Sequence, residues 1–297
     1  MPRYCASCGR NFDKSAYSKT QWSKGDGVSR CSGCVHGRGG SNSSSTNATI
    51  DASQTARLNN ASRASFENQA LDNPFASGSF RWVAKGVYTE GNRAGEACVC
   101  KWFKTGGVME SHFYDTDIAA SKEAIFLITK FNSKGCINKI VKVNLPEVWS
   151  FNQCTRQDFA GRKVLQEPFI TNYQKFNSNT GWADDSLPWP RVMQALSHFT
   201  YHISNGQKLL CDLQGGVYTD GVVLTDPVVM STTREYGPTD LGSNGISSFF
   251  AHHVCNEFCQ SAWRRPRDQS AYFHRSAGTT MEQVPTRNSR APMSRQF

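Results

Sequence analysis

One stretch constrains this chain more than any other: Leu210-Cys211-Asp212-Leu213-Gln214-Gly215-Gly216, followed by Asp220-Gly221 and then Leu224-Thr225-Asp226-Pro227. Two β-rich runs, Lys208 to Leu213 and Gly221 to Thr225, flank the Asp-Gly pair. That pair suits the positive φ which both central positions of a type I′ hairpin turn require. A hairpin folded there returns Asp226 toward Gly215. Because side chains alternate along a strand, Asp212 and Gln214 are expected on one face with Asp226 beside them. Two carboxylates and an amide are hard oxygen ligands. They suit Mg²⁺ held jointly with substrate phosphates, with one carboxylate left to accept a proton from an attacking hydroxyl.

Composition divides the rest of the chain. Apolar periodicity is sustained from Pro74 to about Trp263, within 297 residues that are 38% hydrophobic. Residues 1–40 hold the first four cysteines. Residues 41–73 are rich in Ser, Asn, Ala and Thr and are expected to be a disordered linker, since such a composition buries too little surface to order itself. Residues 264–297 read as a basic disordered tail. The net charge of +9 is concentrated at the two ends. Nucleic acid is therefore a possible partner, but a solvated tail is the preferred reading. No apolar run approaches the roughly 18 residues of a membrane span, and Met1 to Cys8 lacks the layout of a secretory signal. An intracellular protein, cytoplasmic or nuclear and not secreted, is the expectation, with its cysteines serving as thiols and metal ligands.

Within the core, Phe80 to Thr89 and Ala97 to Phe103 read as a strand pair. Ala124, Leu127, Ile128 and Phe131 form a helical stripe after the capping candidates Thr116 and Asp117. Residues 141–145 and 164–171 read as strands. Pro190 to Ser204 reads as a second helix, with Val192, Leu196, Phe199 and Ile203 on one face. Strands first and helices later is an α+β pattern.

Val164-Leu165-Gln166-Glu167-Pro168-Phe169-Ile170, Lys175-Phe176-Asn177-Ser178-Asn179-Thr180-Gly181-Trp182, His198-Phe199-Thr200-Tyr201 and the run Leu210 to Pro227 together resemble the atypical alpha-kinase family, in family order, over roughly residues 74–262. The resemblance implies a two-lobed protein-kinase-like fold with a zinc-stabilised lower lobe. It implies ATP-dependent phosphorylation of Thr or Ser on a protein substrate, with ATP, Mg²⁺ and Zn²⁺ as cofactors. By position it makes Asp212 the catalytic carboxylate and Gln214 and Asp226 the Mg²⁺ ligands. Lys101 becomes the strand lysine on the ATP phosphates, Arg81 after Gly78 the phosphate-loop arginine, and Glu167 the hinge residue near adenine.

Two sets of thiols invite metal. His253, Cys255 and Cys259 carry the imidazole and thiolate ligands zinc prefers, and closing a tetrahedron needs a fourth. The family resemblance supplies it as His198. Separately, Cys5-x2-Cys8, 22 residues, then Cys31-x2-Cys34 is close to a standard Cys₄ zinc spacing. The flanking Phe12, Tyr17 and Trp22 resemble Stc1-type zinc modules, which serve in interactions. One position departs from the alpha-kinase pattern. Gly237-Pro238-Thr239-Asp240-Leu241-Gly242 carries Asp240 where the family usually has Asn, and an anion near phosphates would weaken binding unless Asp240 serves its own turn or caps the following helix. The expected organisation is a Cys₄ module (1–40), a linker (41–73), an alpha-kinase domain (74–263) and a tail (264–297). The alternatives are a weakly catalytic scaffold and a zinc-module adaptor binding nucleic acid or protein. Oligomeric state is not written in the sequence.

Overall fold

The computed structural model describes residues 2–7, 11–26, 28–35, 50–78, 80–104, 110–152, 156–184 and 188–282. Cys8, Cys154, residues 41–49 of the expected linker and 283–297 of the expected tail lie outside them. At the N-terminus, strands β1 (Arg3–Tyr4) and β2 (Asn11–Phe12) pair, and helices α1 (Lys19–Ser23) and α2 (Ser32–Val35) follow. Ser18 caps α1 through the Gln21 N–H at 3.1 Å. Cys5, Tyr17 and Cys31 form a small buried cluster of their own.

Residues 50–73 are not a linker. Asp51 makes a capping box with Gln54 at helix α3 (Ala52–Thr55). Strand β3 (Ala56–Arg57) and strand β4 (Ala61–Ser65) then join two different sheets, and helix α4 (Asn68–Asp72) buries Leu71. Polar side chains replace the missing aliphatics. Thr55 and Asn59 are fully buried, and Asn59 donates to the Gln166 carbonyl at 3.0 Å. Composition undercounts such order because hydrogen-bonded polar groups can be buried at little cost.

The first sheet runs β4-β6-β7-β10-β9, built from β6 (Arg81–Gly91), β7 (Ala97–Phe103), β9 (Glu147–Ser150) and β10 (Lys163–Pro168), with the short β5 (Ala76–Ser77) on β6. All its pairings are antiparallel. Strand β7 is buried on both faces from Cys98 to Trp102, so Lys101 is carried into the interior. The second sheet runs β11-β13-β14-β8-β3 and adds β8 (Ile140–Asn144), β11 (Tyr173–Lys175), β13 (Gln214–Tyr218) and β14 (Gly221–Leu224). Strands β12 (Lys208–Cys211) and β15 (Val228–Ser231) form a separate pair. Helices α5 (Glu110–Lys134) and α6 (Pro188–Ile203) pack together, with Phe131 and Phe199 edge-to-face at 5.4 Å. The predicted stripe Ala124, Leu127, Ile128 and Phe131 is fully buried. Helix α7 (Gly242–His252) completes the set.

The central hairpin exists, with different anatomy. Tyr218 pairs with Gly221, so the two-residue loop is Thr219-Asp220 and neither residue has positive φ. Gly221 serves close packing instead: a Cβ there would lie 1.9 Å from the Ile140 carbonyl oxygen. Strand β12 pairs with β15 rather than β14 because the chain breaks at Asp212 and again at Asp226. Both carboxylates sit at positive φ, +57° and +47°. Alternation along a strand therefore does not orient Asp212.

Candidate active site and metal group

Strands β7, β10 and β14 end around one cluster. Lys101 is 5% exposed and pairs with Glu167, while its Nζ also lies 2.6 Å from Asp226 Oδ2 and 3.1 Å from Thr225 Oγ1. Thr225 in turn donates to the Glu167 carboxylate at 2.8 Å. Glu167 is thus directed at the lysine by its side chain. Burial alone would lower the Lys101 pKa, but Asp226 and Glu167 overcome it and hold it above the ordinary value. Asp226 is also subject to burial, yet Lys101, then Arg81 and Lys175, bring it below the usual carboxylate value. Three cations thus act on one carboxylate whose side chain is 38% exposed.

Arg81 pairs with Asp117 and lies over the Phe103 ring at 4.9 Å. Asp117 is therefore no helix cap. Helix α5 begins earlier, at Glu110, and Asp117 lies inside it with its pKa raised to about 6, by burial that outweighs Arg81. Gly78 lies in the turn before β6, its N–H donating to the Arg81 carbonyl at 3.0 Å. Gln214 opens β13 opposite Lys175 in register, and its carbonyl accepts from the Thr225 N–H at 3.0 Å.

Asp212 is 1% exposed. Its Oδ1 accepts from Lys175 Nζ at 2.8 Å and its Oδ2 from the Thr279 hydroxyl at 2.7 Å. Burial raises its pKa against the opposing pull of Lys175 and Thr279. Neither partner carries a sequence signal of its own: Lys175 lies in a quoted motif, but its contact spans 37 residues, and Thr279 falls in the expected tail.

Residues 264–282 contain no helix or strand, yet they are anchored to the domain and correct the disordered-tail reading over that range. Ser248 Oγ accepts from the Tyr272 and Phe273 N–H groups at 2.9 and 3.2 Å. Asp240 is likewise resolved as a turn residue. It is 1% exposed, and its two oxygens accept from Ser231 N (2.8 Å), Ser231 Oγ (2.6 Å), Tyr236 N (3.3 Å) and Gly242 N (3.0 Å). All of its printed partners are in its own turn, so the repulsion expected toward phosphates has no basis in this geometry.

The ligand atoms of His198, His253, Cys255 and Cys259 lie within 4.8 Å of one another. His198 Nδ1 is 3.2 Å from His253 Nε2, and Cys259 Sγ is 3.7 Å from that same nitrogen. The other ring nitrogen of His198 lies 3.1 Å from the Arg264 carbonyl, a contact that fixes the tautomer with Nδ1 facing the group. Burial pushes His198 down to about 4 and His253 to about 3, so both imidazoles are neutral donors. Two imidazoles and two thiols at this separation fit a tetrahedral zinc site. In the N-terminal module, Cys5, Cys31 and Cys34 also converge within 4.8 Å. Cys98, Cys100 and Cys211 are fully buried, and burial raises all three thiols, as packing residues require.

Among the described residues no helix is long and apolar enough to cross a membrane. The Entamoeba histolytica alpha kinase has a similar fold: TM-score 0.57, 24% identity, covering 74% of this chain and 85% of that one. Myosin heavy chain kinase A in complex with AMPPCP gives a TM-score of 0.56 at 23% identity, over 66% and 85%. In sequence, the alpha-protein kinase vwkA of Dictyostelium discoideum is 42% identical over 96 residues, 32% of this chain and 15% of that protein. Human eukaryotic elongation factor 2 kinase is 38% identical over 100 residues, 33% and 13%. The matched stretches are therefore a small part of those longer proteins. The alpha-kinase family profile matches residues 76–259, more than half of the chain, and on that match this chain belongs to the alpha-kinase family.

Proposed function

We propose that the chain is an ATP-dependent protein kinase that transfers the γ-phosphoryl group to Thr or Ser hydroxyls of a protein substrate. The observation that carries this reading is the meeting of Lys101, Arg81 and Lys175 around the exposed carboxylate of Asp226, next to the buried carboxylate of Asp212. A surplus of cations suits a polyphosphate. Catalysis of phosphoryl transfer is mostly positioning and electrostatics, which such a cluster can supply. Mg²⁺, held by Asp226 and Gln214 with the phosphates, would neutralise charge on the transferred group. Lys101 and Arg81 bind phosphate oxygens. Asp212, whose raised pKa favours proton uptake, orients and deprotonates the acceptor hydroxyl. Myosin heavy chain kinase A has been solved with ATP, AMPPCP and AMP-PNP, which supports a nucleotide in this fold. Incubation with Mg²⁺ and γ-labelled ATP plus a threonine peptide should transfer label, and Asp212→Ala should stop it. Equal transfer by both proteins would overturn the reading.

We also assign zinc to His198, His253, Cys255 and Cys259, and a second zinc to Cys5, Cys8, Cys31 and Cys34. The donor chemistry of both groups supports this. Elemental analysis should find two zinc ions per chain. Cys259→Ser should destabilise the kinase domain, since a structural zinc contributes to folding, whereas Cys31→Ser should affect the N-terminal module alone. Zinc-liganding thiols suit a reducing compartment, so we place the protein inside the cell.

A further inference from the structure

The segment after the zinc-ligand group returns to the active site and delivers a hydroxyl to Asp212. Thr180 Oγ1 exchanges hydrogen bonds with Ser276, accepting from its N–H at 3.0 Å and donating to its carbonyl at 3.2 Å. Asn179 clamps Thr280 in the same manner: its Oδ1 accepts from the Thr280 N–H at 3.0 Å and its Nδ2 donates to the Thr280 carbonyl at 2.7 Å. Glu282 donates its N–H to the Pro238 carbonyl at 3.0 Å and pairs with Arg234. Thr279 therefore lies between two anchored residues, and its Oγ1 is 2.7 Å from Asp212 Oδ2 and 3.5 Å from Lys175 Nζ.

We propose that Thr279 is the chain's own phosphoacceptor, an intramolecular autophosphorylation site presented to Asp212 by residues 276–282. This rests on the kinase reading above. Three features separate the arrangement from a loop that merely covers a cleft. The anchors are bonds from side chains of Asn179 and Thr180, which belong to the domain, to the backbone of the segment, so they fix the chain on both sides of position 279. The hydroxyl proton points at a carboxylate that is buried and held by Lys175 on its other oxygen. That carboxylate's free capacity for a proton is thus directed at Thr279.

The step balances without any further reactant. Thr279 Oγ1 attacks the γ-phosphorus of ATP and the Oγ1–P bond forms. The bond between that phosphorus and the bridging oxygen breaks, with its electron pair leaving on ADP. The hydroxyl proton passes to Asp212 Oδ2. Lys175, within reach of both the carboxylate and the hydroxyl, meets the negative charge of the incoming phosphoryl group. The product carries about −1.5 to −2 charge beside the Asp212 carboxylate, and like-charge repulsion then favours release of the segment.

The test uses the full chain, Mg²⁺ and γ-labelled ATP, with phosphate located by peptide mass analysis and with an exogenous threonine peptide in parallel. Wild type should gain one phosphate at Thr279 at a rate constant independent of protein concentration. Thr279→Ser should keep the modification, and Thr279→Ala should lose it while still labelling the exogenous peptide. An Asp226→Ala chain mixed with active Thr279→Ala chain should stay unmodified at Thr279. Label on the exogenous peptide with Thr279 unmodified would overturn the acceptor assignment and leave the kinase reading standing. Label at Thr279 of the Asp226→Ala chain would overturn the intramolecular route. Transfer to neither chain nor peptide would overturn the kinase reading, and this proposal with it.

Discussion

Two lysine–carboxylate pairs face one another across the site, and they are inverted copies in burial. In the first, Lys101 is buried between Glu167 and Asp226, and it is Asp226 that opens to solvent. In the second, Asp212 is buried and Lys175 is the more open partner, its side chain 20% exposed. The inversion sorts the chemistry. A buried cation flanked by two anions stays charged and fixed, leaving its exposed carboxylate ionised and available to a metal and phosphates. A buried anion with one cation and one hydroxyl instead has its pKa raised, and it is the better proton acceptor.

The first pair can be broken most severely at its lysine. Lys101→Ala leaves Glu167 buried without its cation, and removing one member of a buried pair costs about 3–5 kcal/mol. The variant should therefore lose phosphoryl transfer and also show a clearly lower denaturant midpoint. Asp226→Ala should be the cleaner lesion, because Asp226 is partly exposed: kcat falls by about 10²–10³ with the loss of one preorganised electrostatic group. Its denaturant midpoint should move far less than that of Lys101→Ala. Equal destabilisation by the two substitutions would show that burial does not distinguish the members of this pair.

The second pair is sharpened by pH. The two carboxylates carry opposite linkage. Asp226, depressed, contributes stability above its unfolded-state pKa that is lost as pH falls through its folded value. Asp212, raised, favours the fold at low pH and loses that contribution as pH rises through its folded value. For catalysis, Asp212 must be ionised, so kcat should fall with acidification at a pH above the ordinary carboxylate range. Lys175 opposes the effect of burial, and Lys175→Met should shift this acid limb to higher pH. A limb that stays in place across wild type and variant would exclude Asp212 as the titrating group.

What the sequence disclosed about these pairs followed range of contact. The strand carrying Lys101 and the stripe on α5 declare themselves through local periodicity, and the Asp212–Asp226 hairpin through its turn residues. The left-handed backbone at Asp212 and Asp226 does not, since it overrides the alternation a strand would impose. The partners of each charge were also hidden. Asp117 reads as a cap but lies inside α5 against Arg81, 36 residues away. Residues 50–73 and 264–282 look disordered because order is usually inferred from aliphatic content. Here it comes from Asn59, Asn179, Thr180 and Ser248, whose bonds to distant backbone leave no trace in composition.

The smallest effect on catalysis should come from Asp240, which touches neither pair. Its Oδ1 takes the N–H groups of Ser231 and Gly242, and its Oδ2 takes the Ser231 hydroxyl and the Tyr236 N–H. Asn offers one acceptor oxygen and one amino group. Whichever way its amide is turned, a donor meets a donor, and the Ser231 hydroxyl can rotate to accept but a backbone N–H cannot. Leaving one such buried donor unmet costs about 1–3 kcal/mol. At about 2–4 °C per kcal/mol for a domain of this size, Asp240→Asn should lower Tm by several degrees. Meanwhile kcat/KM should stay close to wild type at low and high salt, because the carboxylate's partners are its own turn and not the phosphate-binding cations. A gain in kcat/KM that fades as salt is added would place the anion's field at the nucleotide after all. Two similar thermal transitions with an unchanged kcat/KM would show that the turn is held without the second oxygen.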